Sequence, residues 1–182
     1  MPGMSKMLSR LVQTLMATLA LGALGCSEVE FADSTSQQNP LDAFESELAA
    51  SFNIMRADAG LAAVKVCASL NTSASLHSDD MRDKGYLSDK GLDGSTTPSR
   101  ACEAGFMAAC DGKLAMAELL AKGNAAGKPT LDQWAGDATT KPVLMDPQFV
   151  VLGIGRALGG EAAVWTMDLA STTDPSCDAV TP

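Results

Sequence analysis

The stretch HSDDM (His77–Met81), running on through GYLSDKGLDGSTTPSR (Gly85–Arg100), decides how the chain is read. Its first part has a helical period. Leu70, Ala74, His77 and Met81 share one face, so the spacing predicts a helix over about residues 68–84, with Gly85 as its stop. The second part is polar and broken by Gly85, Gly91, Gly94 and Pro98, which is the composition of a surface loop. Loops carried by rigid elements are where binding and catalytic groups concentrate.

The flanks extend the pattern. Asp42 can cap a helix whose apolar positions Phe44, Leu48, Phe52 and Met55 recur at helical spacing and which Gly60 ends. A third, short helix is predicted over about 114–122, with Gly123 following. The period then changes. Residues 150–155 and 162–167 read as strands, joined by a hairpin turn at Leu158-Gly159-Gly160-Glu161. Helices early and strands late predict an α+β domain, without internal repeats.

Length and composition bound the function. The chain has 182 residues, enough for one domain, and is 46% hydrophobic but only 4% aromatic, so its core leans on Ala, Leu, Val and Met. A net charge of −9 lacks the basic footprint that nucleic acid or an anionic membrane surface requires.

Lys6 and Arg10 precede an apolar run from Leu11 to Leu24, too short for a membrane span and suited to a secretory leader. The run ends in Ala23-Leu24-Gly25-Cys26, which resembles a bacterial lipobox and implies cleavage before an acylated Cys26. Residues 1–25 are thus expected to be a lipoprotein signal peptide and 26–40 the lipidated cysteine with a polar tether. A domain over 41–171 and a disulfide-held tail over 172–182 follow. Losing residues 1–25 removes two bases and no acid, so the acidic excess rises from 9 to 11. Of five cysteines, lipidation of Cys26 leaves Cys67, Cys102, Cys110 and Cys177, an even set suited to an oxidising compartment. Three pairings are open, of which Cys102–Cys110 with Cys67–Cys177 is favoured because the first closes a short loop. No CxxC spacing supports a zinc–thiolate site.

Taken in order, several pieces resemble the CAP family (the SCP-like domain of cysteine-rich secretory proteins, antigen 5 and pathogenesis-related 1), in its bacterial branch. They are Asn53-Ile-Met-Arg56 with Gly60-Leu61, the His77–Met81 run, the loop ending at Arg100, Gly105-Phe106, Ala117-Glu118 with Gly123, Trp134 through Pro147 and Phe149, Gly153-Ile-Gly155, and Trp165-Thr166. The resemblance implies a three-layer α-β-α sandwich with a short, mainly antiparallel sheet and a shallow cleft. In many members two histidines and one or two glutamates line that cleft and can hold a divalent metal such as zinc. Carried over by position, the ligands fall on Asp89, Glu118 and Thr140, with Asp137 at a usual serine and Leu119 at a usual asparagine. Only Glu118 keeps the family residue, so a degenerate site with no metal and no cofactor is expected. His77, the sole histidine, is expected to be a packed structural residue outside the cleft, and Arg100 to make a salt bridge or carbonyl contacts.

No catalytic residue is assigned. The chain has no GxSxG elbow, and Gly159-Gly160 is a turn rather than a phosphate loop. The reading favoured is an exported, lipid-anchored binding module for a lipid-like small molecule or an envelope protein partner. In a Gram-negative host Ser27 after the acylated cysteine would direct it to the outer membrane. The alternatives are an envelope hydrolase or peptidase using Asp89 and Glu118 as acid and base, and a purely structural lipoprotein.

Overall fold

The computed structural model describes residues 41–160 and 162–177. The expected signal peptide, Cys26, the tether and the last residues of the tail lie outside them.

The domain runs α1 (Ala43–Asp58), β1 (Lys65–Val66), α2 (Ala68–Lys84), α3 (Thr97–Glu103), β2 (Met116–Gly123), α4 (Gly127–Gly136), α5 (Lys141–Leu144), β3 (Val151–Ala157) and β4 (Ala163–Ala170). Single 3-10 turns occupy Met107–Ala109 and Pro175–Cys177. The sheet has the order β1-β3-β4-β2, with β1 parallel to β3 and the other pairs antiparallel. Side chains alternate across it. Leu152, Ile154, Trp165, Met167, Leu169, Leu119 and Ala121 form the main core with Leu48 and Phe52 of α1 and Leu131 and Trp134 of α4. The opposite face takes α2. This is the expected α-β-α sandwich.

Local chemistry fixes the helix ends. Asp42 Oδ1 accepts from the Phe44 and Glu45 amides, both at 2.8 Å, while Glu45 Oε2 accepts from the Asp42 amide at 2.7 Å, a complete capping box. Gly85 ends α2 at φ 71°, where a β-carbon would be strained.

The 114–122 segment is corrected: it is a strand, not a helix. Its residues include good helix formers, Leu119, Leu120 and Ala121 among them. Yet β2 pairs with β4 without interruption from Met116↔Ala170 to Gly123↔Ala163. Leu119 and Ala121 then point into the core while Glu118 and Leu120 face α2. Cross-strand packing outweighs an intrinsic preference of a few tenths of a kcal/mol per residue. Helices α3 and α4 were not read from the periodicity, and the two long strands run to 157 and 170 rather than 155 and 167. The disulfides are Cys67–Cys177 and Cys102–Cys110, the favoured pairing.

Two features set the spacing of the layers. On β3 the residues facing α2 include Gly153 and Gly155. A β-carbon at Gly155 would lie 2.1 Å from the Ser75 amide nitrogen, and one at Gly153 would lie 2.2 Å from the Leu70 carbonyl carbon. Backbone therefore packs on backbone, and the short side chains of α2 reach the sheet. Ser78 Oγ donates to the Gly155 carbonyl and meets Thr166 Oγ1, both at 2.9 Å.

The second feature is Arg56, whose guanidinium is buried against main chain. It donates to the carbonyls of Ala62 (2.9 Å), Leu144 (3.0 Å), Asp146 (3.1 Å) and Phe149 (3.2 Å), joining the α1–β1 loop to the approach to β3. Arg56→Met leaves those carbonyls without their donor. It is expected to lower unfolding stability by about 3–5 kcal/mol in a urea titration, with an unchanged slope.

Candidate functional site

The site lies where α2, the 85–100 loop and α3 meet the sheet. Glu118 on β2 stands directly opposite Asp168 on β4, and Gly153 on β3 completes the row. Like charges facing across strands repel, and burial magnifies the cost. Asp168 is fully buried and the Glu118 side chain is 2% exposed.

One cation answers them. Arg100, on α3, places Nη2 at 2.7 Å from Glu118 Oε1 and 2.9 Å from the Asp89 carbonyl, and Nη1 at 3.3 Å from the Ser95 carbonyl. Pro98 in the first turn of α3 and the Thr96–Ser99 capping box start that helix, so the guanidinium arrives on a rigid element. His77 Nε2 lies 2.9 Å from the Ser88 carbonyl and 3.6 Å from Glu118 Oε2. A carbonyl only accepts, which assigns the ring proton to Nε2 and leaves Nδ1 as the acceptor nitrogen.

Burial lowers the His77 pKa more than the nearby Glu118 charge raises it, so the ring is neutral at neutral pH. Asp168 is pushed well above the usual carboxylate range, first by burial and then by the charge of Glu118. The layer therefore holds one ion pair, Glu118–Arg100, beside an Asp168 that keeps its proton to higher pH than an ordinary carboxyl and a neutral His77. Arg100 Nε is buried without a hydrogen-bond partner, whereas the Asp168 carboxyl is shared with Glu118 and with the Ser73 hydroxyl.

Above this layer opens a cavity of about 410 Å³. Buried Ser73 and His77 and half-buried Arg100 form its floor, while exposed Leu76, Asp93 and Glu103 line its mouth. His77 thus differs from its sequence reading in one respect. It is packed and hydrogen-bonded, as expected, but it lines the cavity instead of lying outside it. Asp168 of the buried layer and Ser73 beside it were both missed. A single acid in the otherwise apolar run of β4 was the available signal, because a lone buried carboxyl needs a reason to be there.

The three positions mapped to ligands are not assembled as a set. Glu118 sits under the cavity. Asp89 reaches the same guanidinium through its carbonyl, with its side chain exposed. Thr140 donates its hydroxyl to the Trp134 carbonyl at 2.6 Å and lines a second cavity, of about 450 Å³, with Leu120, Gln133 and Asp137. The two cavities share no lining residue. Asp137, at the usual serine, accepts from the Thr139 and Thr140 amides at 2.8 and 3.0 Å. Its hydrogen bonds with Thr139 are the main reason its pKa is held down to about 2.

A family model of the cysteine-rich secretory proteins, CAP, matches residues 50–169. The chain belongs to this family. The fold is also similar to that of an outer surface protein from Borrelia burgdorferi (TM-score 0.61, 16% identity, 73% of this chain and 97% of that one). It is similar again to an extracellular protein containing an SCP domain from Bacillus anthracis (TM-score 0.60, 20% identity, 73% of this chain). This chain spans 45% of that second protein's length. No curated protein matches the chain.

Among the described residues, no group of three or more His, Cys, Asp or Glu side chains is arranged to hold an ion. His77 Nε2 spends its proton on Ser88, Glu118 Oε1 is taken by Arg100, and the Thr140 hydroxyl is turned to Trp134.

The protonation of Asp168 gives a pH dependence. Its folded pKa lies above the unfolded value of 3.8. As pH rises past that value the unfolded chain releases a proton that the folded chain keeps, so stability falls until the folded pKa is reached. Asp168→Asn keeps a donor for Glu118 and removes the titration. Its stability relative to the parent is expected to grow from acid to alkaline pH, measured by urea unfolding across pH.

Proposed function

We propose that this protein is an exported, lipid-anchored CAP domain that works by binding, with the cavity over Ser73, His77 and Arg100 as its ligand site. The observation carrying this reading is the partnerless donor on the cavity floor, Arg100 Nε. Buried polar groups are normally satisfied, and a ligand entering from above supplies what the fold withholds. Leu76, 62% exposed at the mouth, adds an apolar wall suited to a lipid-like small molecule or to a side chain of an envelope partner.

Export and anchoring rest on the apolar leader and Cys26, and they accord with the outer-surface and extracellular proteins of similar fold. An acylated Cys26 followed by a polar tether over 27–40 would hold the acidic domain off the bilayer, at the outer membrane in a Gram-negative host. The metal site is degenerate in this reading, because Asp89 and Thr140 stand in for imidazoles and face elsewhere. Hydrolysis by Asp89 and Glu118 is disfavoured by the same geometry, since one carboxylate is exposed and the other is buried in an ion pair.

Native mass spectrometry of the full chain purified from membranes tests both parts. The expected mass is that of the acylated chain with a displaceable organic ligand and no zinc. One zinc per chain after gentle purification would contradict the degenerate site. An unliganded mass unchanged by exposure to membrane extract would contradict the binding role.

A further inference from the structure

The charges of the cavity narrow its ligand, on the reading just given that this cavity is the binding site. Arg100 is the only basic side chain lining it, and its charge is committed to Glu118 at 2.7 Å. Of the lining acids, Asp80 is held by Lys84 and by the Tyr86 hydroxyl, both at 2.5 Å. Asp93 and Glu103 form no ion pair among the described residues, and both are exposed at the mouth. Asp93 accepts from the hydroxyl and the amide of Ser95, and Lys84 acts on it from a distance. An entering cation therefore meets two carboxylates without an ion-pair partner, whereas an entering anion meets the same two and a guanidinium already neutralised.

Below the mouth, Ser73 lines the floor with its hydroxyl shared with the buried Asp168 carboxyl. Beside the polar path, Leu76 and Ala104 give an apolar wall along which an aliphatic stem can lie. Arg100 Nε, the partnerless donor, is served by a neutral oxygen such as the carbonyl of a peptide-borne cation. We propose that the cavity takes an ammonium or guanidinium group on a short aliphatic stem, carried either by a free alkylamine or by a basic side chain of a peptide.

Isothermal titration of the full chain in neutral detergent tests this with 1,5-diaminopentane and Nα-acetyl-lysine N-methylamide as the two cationic probes. Pentanol and pentanoate are the stem-matched controls. Saturable binding of either cation, at least tenfold tighter than either control, is expected, and the tighter of the two identifies the source. The double variant Asp93→Asn/Glu103→Gln, at exposed positions, should fold normally and weaken cation binding by roughly three- to tenfold, in line with exposed ion pairs. Controls binding as tightly as the cations, or cation binding indifferent to the double variant, would overturn the proposal. Ala104→Trp, which fills the cavity, separates the two readings. If it blocks a neutral or anionic ligand, the site stands and the cationic class falls. If it blocks nothing, the site falls as well.

Discussion

Two carboxyl groups placed face to face across β2 and β4, with one guanidinium between them and water, constrain everything around them. Neither can be left ionised and alone in the interior. The chain's solution is to ionise Glu118, neutralise it with Arg100, and leave the proton on Asp168. Arg100 can do this only if α3 is held at the sheet's edge. The turn from Gly91 to Ser95, the Thr96–Ser99 cap and the Cys102–Cys110 bond each hold it there. The loop that looked like the rim of a metal site is, physically, the bracket for a cation.

The same layer needs α2 at backbone distance. Gly153 and Gly155 supply that distance, and Ser73, His77 and Ser78 use it. Each of these side chains is short or flat, as a gap set by glycine demands. The result is a polar layer buried between helix and sheet and open at one end to the cavity. An entering ligand therefore meets a floor whose protonation states are fixed by burial rather than by the solvent.

Much of this architecture was legible. The capping residue Asp42, the 68–84 helix with its Gly85 stop, and the antiparallel pairing of β3 with β4 follow from local rules, and local rules hold wherever propensity and packing agree. The motif order from Asn53 to Trp165 placed the chain in its family. Two things were not legible, for one reason. The 116–123 strand carries helix-forming residues whose state is decided by β4, some fifty positions away. Asp168 is invisible as a site residue until that pairing sets it against Glu118. His77 was misplaced likewise: its apolar neighbours on the helix marked it as core, and only the Ser88 carbonyl and Glu118, from two other elements, show that its ring edge closes the cavity floor. At Thr140 the hydroxyl, unlike an imidazole, is satisfied by the nearest carbonyl, that of Trp134.

The account rests on how charge is shared in the buried layer. NMR titration of the side-chain carboxyl carbons in protein labelled at aspartate and glutamate reads this directly, residue by residue. The account predicts that Asp168 loses its proton only well above the usual carboxylate range. An Asp168 carbon that titrates within that range would contradict it.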